Sequence, residues 1–295
     1  MDRLGNFRES RSCFSLSNAS ANRSKASSSY SSPFARITSA KNLKHEMLPS
    51  FLRSSGSGSG SSFSTSTPRK SFLPELNTLS SITKYINGAT SPTETLLKVG
   101  KIELKQDDLR CLLSNNITKN TIDAMLTVVK HLNSKLCKKK PETKKVLIAK
   151  TKFTQKVFNN QKTNAKIDIF NINFLIFPIF VGHWTVLNFN CTELIVNYYD
   201  PLKSNKYLKD ILKSLYLFLK KQTTSSGEDL MQIQLKELVY QRVVISETFS
   251  EEDSAIFMLQ TIYNLSMGER VEVKSADLEH HRQEFLKMLF QHGTL

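Results

Sequence analysis

Phe174–Leu202 reads FLIFPIFVGHWTVLNFNCTELIVNYYDPL, and the spacing of its breaks decides the fold. Three runs rich in β-branched and aromatic residues, Phe174–Val181, Trp184–Phe189 and Leu194–Tyr199, follow in close succession. Pro178, Gly182 and the polar turn Asn190-Cys191-Thr192 punctuate them. Such runs predict strands, and gaps this short leave no room for a crossover helix, so neighbours pair antiparallel through hairpins.

Outward from this hairpin group the period changes. Ile122, Met125, Val128, Val129 and Leu132 recur at helical spacing and predict an amphipathic helix ahead of the strands. Val146–Ala149 is a further short strand. Beyond the group, Leu208, Ile211, Leu212, Leu215 and Leu219 mark a second helix, Val243–Ile245 a short strand, Ala255–Leu265 a third helix, and Ala276–Phe290 a last amphipathic one. Helix, clustered strands, then helices is the pattern of an α+β domain and not the regular alternation of a doubly wound sheet. That domain is expected over 71–295.

Residues 1–70 differ in kind. Nearly a third are serine, large apolar residues are sparse, and Gly56–Ser62 reads GSGSGSS, so a disordered, Ser-rich basic tail is expected. Eleven basic and three acidic side chains there account for about half of the net charge of +15. The Arg and Ser enrichment is shared with mitochondrial transit peptides, but Asp2, Glu9 and the lack of an amphipathic segment favour a regulatory tail. The basic run Cys137–Lys145 reads as a solvated loop or as a nuclear localisation signal.

Composition excludes several function classes. No apolar run reaches the length of a membrane-spanning helix, so no membrane partner is expected. Cys13, Cys111, Cys137 and Cys191 form no CxxC pair, and neither HExxH nor a Cys/His cluster occurs, so no metal is predicted. The absence of GxxxxGK[ST] and of GxGxxG after a strand removes the usual nucleotide handles, and no cofactor is expected. The lysines are scattered and the aromatics lie in apolar runs, which argues against nucleic acid.

One constellation carries chemistry. His183 opens a strand and Asp200 ends its antiparallel neighbour, so the carboxylate can accept from one ring nitrogen and fix the tautomer of the other. That makes His183 a general base with its orienter. The plainer reading is a hairpin histidine beside an Asp-Pro turn.

Asp168-Ile-Phe170, Phe177-Pro178-Ile179, His183-Trp184 and Tyr198-Tyr199-Asp200-Pro201-Leu202 resemble the core of the ubiquitin-like-specific (SUMO) cysteine proteases, over about Ile102 to Phe290. The resemblance implies a papain-like fold, a central mixed sheet flanked by helices, with a helix like Asn120–Asn133 coming first. It implies His183 as base, Asp200 as its partner, and Trp184 as a lid over the channel for a substrate's Gly-Gly tail. The family's cysteine lies in an Asp-Cys-Gly motif opening a helix; here the corresponding residues are Asp253-Ser254-Ala255. Ser254 therefore stands at the nucleophile position and Ala255 at the glycine. The family's oxyanion glutamine corresponds to Thr248, and its Trp-Leu-Asn-Asp motif to Asn116-Ile117-Thr118-Lys119, where an aromatic is lost and a carboxylate becomes a cation.

The substitution at 254 matters chemically. A cysteine at a helix N-terminus beside an imidazole is readily held as thiolate, whereas a serine hydroxyl must surrender its proton during attack. Loss of one oxyanion donor typically costs about 10²–10³ in rate. Ser250-Glu-Glu-Asp253-Ser254 also reads as a helix cap, with Ser250 and Asp253 as a box or with Asp253 or Ser254 as N-cap. Two functions follow from the resemblance: an impaired protease domain that binds a SUMO-like or other ubiquitin-like protein or its conjugates, or an active peptidase using Ser254, His183 and Asp200. A structural subunit with the tail as tether is a third. A nuclear or cytoplasmic location is expected.

Overall fold

The computed structural model describes residues 8–9, 76, 78–114, 116–164, 166–204, 206–226 and 239–294. All belong to one unit, Met1–Ser12 with Leu73–Leu295. The expected Ser-rich tail lies outside the described residues, except for Arg8–Glu9, a two-residue strand (β1).

The hairpin group forms the middle of the larger sheet. β5 (Phe174–Phe180), β6 (Trp184–Asn190) and β7 (Ile195–Tyr199) pair antiparallel, with Phe180 opposite Trp184 and Val186 opposite Tyr199. β4 (Val146–Ile148) adds parallel to β5, and β8 (Val239–Arg242) adds parallel to β7. With β1 beside β8, the order is β1-β8-β7-β6-β5-β4, a mixed sheet.

Both faces of this sheet are covered, which is why β5 reads as almost unbroken apolar sequence instead of alternating. Leu175, Phe177, Ile179, Leu187, Phe189, Val196 and Tyr198 face one core, closed by α4 (Thr151–Phe158) and α5 (Leu208–Ser226). Ile176, Val186 and Tyr199 face the other. There they meet α1 (Leu79–Asn87), α2 (Gln106–Leu113), α3 (Lys119–Lys139), α6 (Ser254–Met267) and α7 (Leu278–His292). A small hairpin, β2 (Thr95–Val99) with β3 (Ile102–Lys105), completes that side. This is the expected α+β protease-type fold.

α6 is the central helix. Ala255, Ile256, Phe257, Met258, Leu259 and Ile262 are all buried, so it is apolar around most of its circumference, and it packs on α3 and β6. Gly268 ends it in the left-handed region at φ 77°, with Glu269 N–H returning to the Asn264 carbonyl. Asn133 of α3 locks the same corner: its amide donates to the Ser266 carbonyl at 2.7 Å, and its oxygen accepts from Val146 N–H at 3.2 Å.

Three expectations shift. The strand predicted at Val243–Ile245 lies earlier, at Val239–Arg242, because β8 pairs only as far as Tyr198 before the chain turns away toward 246–250. The last helix starts at Leu278, after a 3-10 turn at Ser275–Asp277. The basic run starting at Cys137 is partly helical, since α3 continues through Lys139.

Candidate active site

The turn between β5 and β6 is Val181-Gly182-His183. Gly182 has φ 94°, a conformation that L side chains avoid, and Val181 N–H donates to the His183 carbonyl at 2.9 Å. This tight reversal fixes where His183 leaves the sheet. On the neighbouring strand, β7 ends at Tyr199 and delivers Asp200 to the same end.

The two side chains meet. His183 Nε2 lies 2.8 Å from Asp200 Oδ1, with both residues almost fully buried. An ionised carboxylate only accepts, so Nε2 carries the proton and Nδ1 of a neutral ring presents a lone pair. Leu202 N–H also donates to Asp200 Oδ1, at 3.0 Å, so the Asp-Pro turn holds the carboxylate in place. Both sequence readings of Asp200 are thus realised at once, as turn former and as histidine partner. Asp200 Oδ2 is buried and, among the described residues, has no hydrogen-bond partner.

Ser254 arrives from the opposite side, as the first residue of α6. It is fully buried, and its Oγ accepts from the backbone N–H of Trp184 at 2.9 Å, the residue next to His183. Its own proton goes to the Glu251 carbonyl, at 2.5 Å. The hydroxyl therefore bridges two backbone groups, the first residue of β6 and the turn ahead of α6.

The helix start carries its own cap network. Asp253 N–H donates to Ser250 Oγ at 3.1 Å, and the Ser250 hydroxyl donates to Asp253 Oδ2 at 2.8 Å. Asp253 is the N-cap residue, but its side chain makes no cap bond; Oδ1 instead accepts from Arg282 at 2.7 Å. Arg282, on α7, is only 3% exposed and also donates to the Ser114 carbonyl at 2.8 Å. Sequence reasoning missed Arg282, whose hydrogen-bond partners lie 29 and 168 positions away.

The remaining candidates are Thr248 and Trp184. Thr248 is exposed and, among the described residues, makes no side-chain hydrogen bond to Ser254 or His183. Trp184 is partly buried and tilts against Phe180, with ring centroids 5.2 Å apart. A groove beside this aromatic pair is walled by α4, a helix the sequence reading did not find, and by Lys119. Among the described residues no group of three or more His, Cys, Asp or Glu converges as a metal site would.

The family model for the Ulp1 protease family, C-terminal catalytic domain, matches residues 97–295. The chain belongs to the Ulp1 protease family. Its fold is similar to that of SUMO protease Ulp1 with the catalytic cysteine oxidized to a sulfenic acid, at 14% identity over 74% of this chain and 95% of that one, TM-score 0.59. It is similar also to the C-terminal Ulp1 protease domain in complex with Smt3, the yeast ortholog of SUMO, at 15% identity over 75% and 98%, TM-score 0.58. The Chaetomium thermophilum Ulp1-like SUMO protease catalytic domain aligns at 18% identity over 72% and 88%, TM-score 0.55. No curated protein sequence matches the chain. At such identities the structural likeness concerns the fold, and the Ulp1-family residues of this chain have to be judged on their own geometry.

Proposed function

We propose that this Ulp1-family domain binds a ubiquitin-like protein, SUMO-like or related, or its conjugates, and has lost efficient cysteine-type cleavage. The observation that carries the reading is the commitment of the Ser254 hydroxyl. Its proton is given to the Glu251 carbonyl and its oxygen takes the Trp184 N–H, with Ser254 itself fully buried. Attack on a carbonyl would require that proton to leave the Glu251 carbonyl and pass to His183 Nδ1. Sulfur at this helix N-terminus would be anionic beforehand; oxygen gains little from the same dipole. The exposed Thr248 and the methyl of Ala255 add to the departure from the family pattern at the oxyanion side.

One observation favours a second reading, a peptidase with Ser254 as nucleophile. His183 and Asp200 keep the geometry of a general base and its orienter. Release of a reporter from a ubiquitin-like C terminus separates the two. Under the proposal the wild type matches Ser254→Ala and His183→Ala at background rate while a ubiquitin-like protein still binds. Turnover abolished by both substitutions would establish the serine peptidase, and no binding across a panel of ubiquitin-like proteins would remove the partner.

A further inference from the structure

The groove beside Trp184 has a volume of about 140 Å³ and an apolar base that includes Pro178, Phe180 and Trp184. Phe180 is 61% exposed, a large aromatic surface left to solvent at the groove's edge. Thr154 lines the groove as well. The residue is only 2% exposed, and among the described residues its buried Oγ1 has no hydrogen-bond partner. Buried hydroxyls are rarely left unpaired, so an occupant with a polar group would complete this one.

Lys119 is the groove's cation, and no carboxylate lines it. From Lys144 to Ile167 the chain has seven lysines and no Asp or Glu, and Lys150, Lys152 and Lys156, on or next to α4, are exposed. Among the described residues none of Lys119, Lys150, Lys152 and Lys156 makes an ion pair; Lys119 donates only to the neutral Gln155 Oε1, at 3.2 Å. Two acids of adjoining segments are committed. Asp123 takes the N–H and hydroxyl of Thr151 at 3.0 and 2.9 Å, and Asp168 holds Phe170 N–H and the Asn171 amide.

We infer that this groove selects a protein partner whose docking segment sets carboxylates beside an aromatic or large aliphatic side chain. The inference deepens the proposed function and rests on it, because Trp184 joins the groove to the Ser254 hydroxyl. The apolar residue covers Phe180 and Trp184 while the carboxylates meet Lys119, the cation that lines the groove. A narrow apolar base with one cation suits such a segment better than a nucleic-acid backbone, which needs a track of cations with open stacking surfaces.

The test is fluorescence anisotropy with the full chain and two labelled peptides, Glu-Asp-Phe-Asp-Glu and its amide isostere Gln-Asn-Phe-Asn-Gln. The acidic peptide is expected to bind about ten-fold more tightly, to weaken with added salt, and to lose about ten-fold with Lys119→Glu, whereas Lys274→Glu elsewhere on the surface leaves it unchanged. Equal affinity for the two peptides, or unchanged binding by Lys119→Glu, overturns the inference. So does a single-stranded oligonucleotide that binds the face more tightly than the peptide and is lost in the same variant. A ubiquitin-like protein that binds wild type and Lys119→Glu alike overturns this inference and leaves the proposed function standing. Acidic-peptide binding without any ubiquitin-like partner does the reverse.

Discussion

His183 and Ser254 both reach the chain at Trp184, one as its neighbour in sequence and the other through its hydroxyl, yet the two are held in opposite ways. His183 is fixed by another side chain, Asp200, which occupies one ring nitrogen and leaves the second for chemistry. Ser254 is fixed by backbone on both sides, so its donor and an acceptor lone pair serve the fold. A base needs only orientation, whereas a serine nucleophile needs a proton it can release. The same pocket therefore holds a histidine by a side chain and a serine by backbone, and under the proposed function the first keeps the geometry of a base while the second serves as a structural pin.

The largest effect should come from the support beneath the serine side. Arg282→Met leaves Asp253 without its buried partner and the Ser114 carbonyl without its donor, and is expected to cost about 3 kcal/mol in denaturant unfolding. A loss under about 1 kcal/mol would mean that α6 is positioned by apolar packing alone. Next is the histidine side: Asp200→Ala strands the His183 and Leu202 donors and should cost about 2 kcal/mol. Ser254→Ala should cost about 1 kcal/mol, by unpairing the Trp184 N–H and the Glu251 carbonyl. If Ser254→Ala were neutral, the pin would carry no weight and the contrast between the two halves would fail.

The smallest expected effect is a pH dependence on α7, the helix that carries Arg282. Burial holds the His281 imidazole below its usual value, with Asp277 opposing more weakly. The unfolded chain then binds the proton more readily than the folded one, so stability falls as pH drops below about 6.5. Urea midpoints compared at neutral and mildly acidic pH should show that decline, and His281→Gln should flatten it.

How much was legible depended on distance along the chain. The long helix through Ile122–Leu132 was readable because its period repeats several times, and the strands of the hairpin group because their β-branched and aromatic runs are bounded by Gly182 and the Asn190–Thr192 turn. α4 was not, since its eight residues offer little more than Phe153 and Val157 as an apolar pair, too few turns to establish a period. The β2–β3 hairpin also went unread, although Gly100-Lys101 between two short apolar runs, with Gly100 at φ 61°, is a turn signal. The Ser250–Asp253 pairing was foreseen as a local cap. Arg282, which takes up the N-cap carboxylate, was invisible because nothing local marks a buried ion pair between helices.

Sequence by itself placed His183 and Asp200 at the same end of neighbouring antiparallel strands, because two short turns leave that pair few registers, and it left a hairpin histidine beside an Asp-Pro turn as the plainer reading of the same residues. It also determined that oxygen would stand at residue 254. Only tertiary structure decided what that oxygen does. Its hydrogen bond to Trp184 spans 70 positions and exists because the buried face of α6 packs on β6, a contact set by the shape of the whole core. The basic, apolar-floored groove belongs to the same class of fact, since Lys119, α4 and the β5–β6 hairpin become one surface only when the sheet and its helices close around them.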